Sequence, residues 1–178
     1  MLKARSLKTG PVTLASGKTS NFYIDCKETA LHAQGAALIG QLVFDHVVAL
    51  RGEGLAIAGV GGLTMGADPI ALATAVVSAA SQEPVHAFIV RKEPKGHGTQ
   101  SFVEGRANLP AGSAVLIVED VVTTGGSTLK AIERARAAGL SPVAVLALVD
   151  REEGGAAAIA ASGVRFAALF TRSDFGGS

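Results

Sequence analysis

Val115 to Thr128, VLIVEDVVTTGGST, restricts the fold of this chain more than any other stretch. Val115, Leu116, Ile117 and Val118 form an unbroken aliphatic run without polar alternation, the pattern of a strand covered on both faces and hence of a parallel one. Two acids, Glu119 and Asp120, follow directly, then Val121 and Val122, then the hydroxyl and glycine turn Thr123-Thr124-Gly125-Gly126-Ser127-Thr128. From Leu129 to Ala138 the composition is helix-forming, with Leu129, Ile132 and Ala135 on one side, Lys130, Glu133, Arg134 and Arg136 elsewhere, and Gly139 as a C-terminal stop. The expected unit is strand, turn and helix. It puts the acids at the carboxyl end of a strand, the edge at which open α/β sheets bind ligands.

The chemistry of the turn favours an anion. Its glycines leave backbone N–H groups unobstructed, its Thr and Ser side chains add hydroxyl donors, and the positive end of the following helix points to the same place. A phosphate monoester fits such a cup. Glu119 and Asp120 should project to opposite sides of an extended backbone and so do different jobs, such as holding ribose hydroxyls and orienting a metal-bound ligand. A phosphate cup beside an acid pair suggests a sugar phosphate; the plain alternative is a polar βα turn whose acids only cap or solvate it. Neither GxxxxGK(S/T) nor GxGxxG occurs in the chain.

With 178 residues, 48% of them hydrophobic and 17% charged, residues 1–178 fit one α/β domain with a sizeable core. A formal net charge of +1 gives no global basic field for nucleic acid or a membrane, so local clusters of charge matter more. One cysteine excludes an intramolecular disulfide and suits a reducing compartment, and no signal peptide opens the chain, so a cytoplasmic protein is expected. The longest uncharged apolar stretch, around 69–81, is short for a membrane span and is flanked by Asp68 and Glu83.

Along the chain, Pro11 to Leu14 and Asn21 to Cys26 read as two short strands joined by a turn over 15–20. Phe22 and Tyr23 either pack or lay one ring over a planar base. Cys26, with no neighbouring His, reads as a small buried hydrophobe. His32 to Leu50 has helical periodicity, and His32 and His46 lack partners at metal-ligand spacing. Leu55 to Val60 reads as a core strand running into the glycine-rich turn Gly59 to Gly66, before a helix opened by Asp68, the expected N-cap, and Pro69. Val85 to Val90 is the next strand. After it come Arg91, Lys92, Lys95 and His97 on a loop that Pro94, Gly96 and Gly98 keep from becoming helix, running to about Arg106. Such a loop is either a solvated surface or a set of cations that meets a polyanion as charge develops. Pro142 to Val149 is a strand ending at Asp150 and Arg151. Arg151 either pairs with Asp150 or Glu152 or grips a carboxylate bidentately. A helix over 156–161, a strand over 164–170 and a loosely held tail over 171–178 close the chain.

The 115–128 stretch resembles the 5-phosphoribosyl-1-diphosphate (PRPP) signature of the type I phosphoribosyltransferases: an apolar strand, two acids, two apolar residues, then a threonine and glycine-rich loop. Further segments narrow the resemblance to the orotate phosphoribosyltransferases. These are the RKxxKxHG loop at Arg91, Lys92, Lys95, His97 and Gly98, the DRxEGG segment at Asp150, Arg151, Glu153, Gly154 and Gly155, and the hairpin SGKTSNFYID. The resemblance implies a central, mostly parallel sheet flanked by helices, with a small N-terminal hood to which residues 1–30 contribute. It implies PRPP binding by Arg91, Lys92, Lys95, His97, Glu119, Asp120, Val121, Val122, Thr123, Thr124, Gly125, Gly126 and Ser127, with the glycine-rich turn after the first core strand holding the diphosphate through backbone amides.

Lys95, His97 and Asp120 are the implied catalytic residues, and Lys18, Tyr23, Thr123 and Arg151 the implied orotate contacts. Mg²⁺ is expected, carried mainly by the diphosphate of PRPP with no direct protein ligand. The family is also dimeric, the basic loop of one subunit covering the site of the other, so a homodimer with shared sites is implied, with no nucleic-acid or membrane partner. Ala15 and Thr64 stand where the well-studied enterobacterial form has lysines, and the family's N-terminal helix is expected to be abbreviated or truncated. A purine or other base phosphoribosyltransferase and a non-catalytic PRPP sensor are the competing readings.

Overall fold

The structure, a computed structural model, describes residues 1–13, 19–94 and 101–176. Helix α1 (Leu2–Ser6) leads into an antiparallel hairpin of β1 (Leu7–Thr13) and β2 (Thr19–Ile24). Both hairpin strands start earlier than the sequence pattern suggests. After α2 (Lys27–Ala30) and α3 (Ala33–Gly52) come β3 (Ile57–Leu63), α4 (Asp68–Ser78), three successive strands β4 (His86–Val90), β5 (Val103–Glu104) and β6 (Ala114–Val122), then α5 (Gly126–Ala137), β7 (Ser141–Asp150), α6 (Gly155–Ala161) and β8 (Arg165–Thr171).

The main sheet has the order β5-β4-β3-β6-β7-β8 and is parallel except for β5, which runs antiparallel to β4. The expected α/β architecture, a mostly parallel sheet flanked by helices, is present. β6 lies at its middle and is buried on both faces: Leu116 and Val118 join a core with Val43, Val47 and Ile70 of α3 and α4, while Val115 and Ile117 join one with Ile132 of α5 and Ile159 of α6. The absence of polar alternation thus reports two cores, one on each side of the strand.

Other boundaries also differ from the sequence reading. β3 continues through Gly61, Gly62 and Leu63, residues of the glycine-rich stretch expected to be turn. A Cβ at Gly61 would lie 2.2 Å from the Phe88 carbonyl oxygen and one at Gly62 2.1 Å from that of Val118, so these glycines let β3 close on its neighbours. α5 absorbs Gly126, Ser127 and Thr128 as its first turn. The tail, expected to be loose, forms a 3-10 helix at Arg172–Phe175: Thr171 and Asp174 cap it reciprocally, and Phe175, 9% exposed, packs its ring 6.2 Å from Phe22 and 6.1 Å from Phe170. His32, without metal-ligand partners in the sequence, caps α3 by accepting the Gly35 N–H at Nδ1, 3.4 Å away.

Candidate active site

The carboxyl ends of β3, β4, β6 and β7 gather the candidate residues. At the end of β6 Glu119 is 5% exposed and accepts a hydrogen bond from the Thr128 hydroxyl at 3.2 Å. Asp120 turns to the other side. Its Oδ1 accepts the Val121 N–H at 2.9 Å and stands where a Cβ on Gly66 would approach to 2.4 Å. One acid thus addresses α5 and the other the β3–α4 turn, as strand alternation requires. The two still interact: burial, and then the charge of Asp120, push the Glu119 carboxyl up to about 8.

The turn after β6 is tied to β7 and α6 by its backbone. The Val122 carbonyl accepts the Arg151 N–H and the Thr123 carbonyl the Gly155 N–H, both at 2.9 Å. Gly125, at φ +83°, makes the left-handed step into α5 that a residue with a Cβ would resist. No side chain caps α5 and no acid lies in its first turn. An anion there would meet backbone amides and the helix dipole without competition from either.

In the β3–α4 turn the Thr64 N–H donates to the Val90 carbonyl at 2.8 Å, and the Thr64 hydroxyl donates to Asp68 Oδ2 at 2.7 Å. The N-cap position belongs to Ala67 and not to Asp68, which is the first helical residue. Asp68 Oδ1 is buried with no hydrogen-bond partner among the described residues.

The basic segment leaves β4 and returns as β5. The Arg91 N–H donates to the Phe102 carbonyl at 2.8 Å, and the Arg91 guanidinium pairs with Glu104 at 3.0 Å. Lys92 is exposed. The loop was expected to reach Arg106, but β5 ends it sooner, and Arg106 is occupied with the Ala138 carbonyl at 2.8 Å and with that of Leu109. Lys95 and His97 lie outside the described residues, as does Lys18 of the hairpin.

Arg151 follows β7. Its guanidinium pairs with Glu153 at 2.7 Å, not with Asp150 or Glu152: Asp150 Oδ1 accepts the Glu152 N–H at 2.9 Å, and the Glu152 carboxylate accepts the Ser173 hydroxyl at 2.7 Å. The Arg151 side chain is only 12% exposed, lies 6.0 Å from the Phe22 ring and has a buried Nε without a partner among the described residues. That leaves a buried donor for a planar acceptor.

Residues 29–161 match the family model described as a phosphoribosyl transferase domain. The orotate phosphoribosyltransferase of Sorangium cellulosum is 49% identical over 98% of this chain and 89% of its own length. That of a Nostoc species is 47% identical over 94% of this chain and 78% of its own. The chain belongs to the orotate phosphoribosyltransferase family. The solved structure of the Mycobacterium tuberculosis orotate phosphoribosyltransferase in complex with PRPP shares 35% identity with this phosphoribosyltransferase at a TM-score of 0.78, covering 98% of this chain and 94% of that one.

In this family member Glu119, Asp120, Val121, Val122 and Thr123 to Ser127 run from the carboxyl end of β6 into the start of α5, and Arg91 and Lys92 follow β4 and Arg151 follows β7 at the same edge of the sheet. Tyr23 is half-buried, with the Lys8 ammonium 5.5 Å from its ring centre, while Phe22 is a core residue. Cys26 is fully buried, and burial raises its thiol well above the usual range, in keeping with a passive role. Among the described residues no group of three or more His, Cys, Asp or Glu side chains is placed to hold a metal ion.

Sequence reasoning missed two contributors. Gly66 clears space for Asp120, and only its place in a glycine-rich turn hinted at that. Arg134 grips main-chain carbonyls at Arg91 and Lys92, 43 and 42 positions away, and such contacts leave no trace in residue type.

Proposed function

We propose that the chain transfers the 5-phosphoribosyl group from PRPP to orotate, giving orotidine 5′-phosphate and diphosphate. The observation that carries this reading is the convergence of an uncapped helix start, an acid pair and two arms of cations at one sheet edge. The names of the nearly full-length relatives support the choice of base. A ring nitrogen of orotate attacks the anomeric carbon as the bond from that carbon to the diphosphate oxygen breaks, and the bonding electrons leave with the diphosphate. Orotate is already anionic, so positioning and stabilisation of the leaving group do most of the work.

In this reading Thr123, Thr124, Gly125, Gly126 and Ser127 hold the 5′-phosphate with the Val121 and Val122 backbone, and Glu119 and Asp120 take the ribose hydroxyls. Arg91, Lys92, Lys95 and His97 meet the diphosphate, with Lys95 neutralising the departing oxygen. Lys18, Tyr23, Thr123 and Arg151 receive orotate, whose carboxylate suits the buried, unpartnered Arg151 Nε. Magnesium is read as an ion carried mainly by the diphosphate of PRPP, with Asp120 the acidic oxygen donor at this corner. When bound it neutralises diphosphate oxygens.

Residues 1–178 form a single domain with 1–30 as its hood, acting in the cytoplasm on small molecules, without nucleic acid or membrane. The chain works as a homodimer with shared sites, a reading supported by apolar side chains left exposed beside and along α3 and α4: Leu31 is 71% exposed, Leu72 53% and Val76 75%.

The test is loss of orotate absorbance on mixing protein, orotate and PRPP with and without Mg²⁺, with adenine, guanine, hypoxanthine and uracil in parallel. Consumption of orotate alone, dependent on PRPP and Mg²⁺, is the expected result. Turnover of a purine in its place would move the chain to another base specificity, and PRPP binding without turnover of any base would favour a sensor.

A further inference from the structure

Arg134 lies in the last turn of α5, the helix whose first turn forms part of the proposed phosphate cup, and it reaches the basic segment on both of its legs. On the outgoing leg its Nη1 donates to the carbonyls of Arg91 and of Lys92, the latter at 3.0 Å. On the returning leg its guanidinium carbon sits 4.0 Å from the centre of the Phe102 ring. The two carbonyls come directly after Val90, where β4 ends, and β5 pairs with β4 over only two residues. So short a ladder gives little hold on the stem, and ordering a chain segment costs backbone entropy at every residue. A planar guanidinium can donate in its plane and stack on a ring with its face at once, and a lysine cannot.

We propose that Arg134 is a positioning residue for the diphosphate end of the reaction, clamping both legs of the basic stem to α5 so that Arg91 and Lys92 are held in a fixed place for the diphosphate, whichever of the two shared sites each cation serves. The inference rests on the reading that Arg91 and Lys92 meet the diphosphate. It assigns Arg134 no contact with substrate. Its effect is to fix where the stem's cations meet the diphosphate, where a displacement of about 1 Å costs on the order of 10²-fold in rate.

The experiment measures calorimetric binding of Mg²⁺-diphosphate and, separately, of ribose 5-phosphate, together with kcat and KM, for the wild type and for Arg134→Ala, Arg134→Lys, Phe102→Leu and Lys92→Ala. The expected result for Arg134→Ala is diphosphate affinity weakened by roughly tenfold and kcat reduced by about 10²-fold, with ribose 5-phosphate binding within about twofold of wild type. Arg134→Lys should recover part of both losses, and Phe102→Leu should lose the smaller, stacking share. Equal losses for both ligands in Arg134→Ala would show general damage to α5 and overturn the proposal. So would unchanged diphosphate binding in Arg134→Ala where Lys92→Ala weakens it. Unchanged diphosphate binding in Lys92→Ala would overturn the reading of the basic stem, and the inference with it.

Discussion

Burial and the neighbouring Asp120 keep the proton on Glu119 in the ligand-free protein. The group sits at 4.5 when free and about 8 when folded, so the native state holds a proton that the unfolded chain has released. Its contribution to stability is therefore complete below pH 4.5 and is lost as pH rises towards 8. His46 acts oppositely: burial lowers it below 6.5, so its contribution is lost only as pH falls beneath that value. Between pH 6.5 and 8 the thermal midpoint should fall more steeply in the wild type than in Glu119→Gln, and parallel curves for the two would contradict the burial argument. Lys95 can be tested by rate alone. Lys95→Ala should lower turnover by roughly 10²-fold, the scale of lost acid or electrostatic assistance, and near-normal turnover would remove it from the mechanism. Glu119 and Asp120 were legible in the sequence as two acids on opposite sides of a strand. The Arg151–Glu153 pairing was not, because it depends on Asp150 and Glu152 being engaged elsewhere.

The regular strands and helices were legible wherever local pattern and tertiary demand agree. β6, β7 and α6 fall close to the expected residues because their apolar runs are long and their glycines stand at the ends. The pattern failed where distant partners decide the conformation. The glycines of β3 looked like turn residues and are strand residues pressed against Phe88 and Val118. The segment after β8 was expected to be a loosely held tail, yet Phe175 finds a seat between Phe22 and Phe170 that only the folded hairpin and β8 provide. Phe175→Ala should therefore cost about 3 kcal/mol of unfolding free energy, at the lower end of the range for a buried phenylalanine. A urea titration checks it, and a loss under about 1 kcal/mol would return the segment to a loose tail. The same variant should raise the KM for orotate, since Phe22 lies beside the Arg151 guanidinium.

For the molecule as a whole, shared sites have a kinetic signature. Lys95→Ala and Asp120→Asn proteins, each nearly inactive alone, should regain about a quarter of wild-type activity after unfolding and refolding as an equal mixture, because half of the dimers then carry one intact site. No recovery, with mixed dimers demonstrated by mass spectrometry, would mean that each site is built from a single chain. The two ends of the polypeptide have a different consequence. Met1 and Leu2 line the same surface hollow as Phe170, Asp174 and Phe175. The order in which the ribosome meets the elements is thus separable from the way they pack. A gene rearranged to join Ser178 to Met1 through a short glycine linker and to begin instead in the exposed turn at Gly112 should yield the same sheet and the same phosphate cup, with circular dichroism and PRPP binding close to those of the original chain.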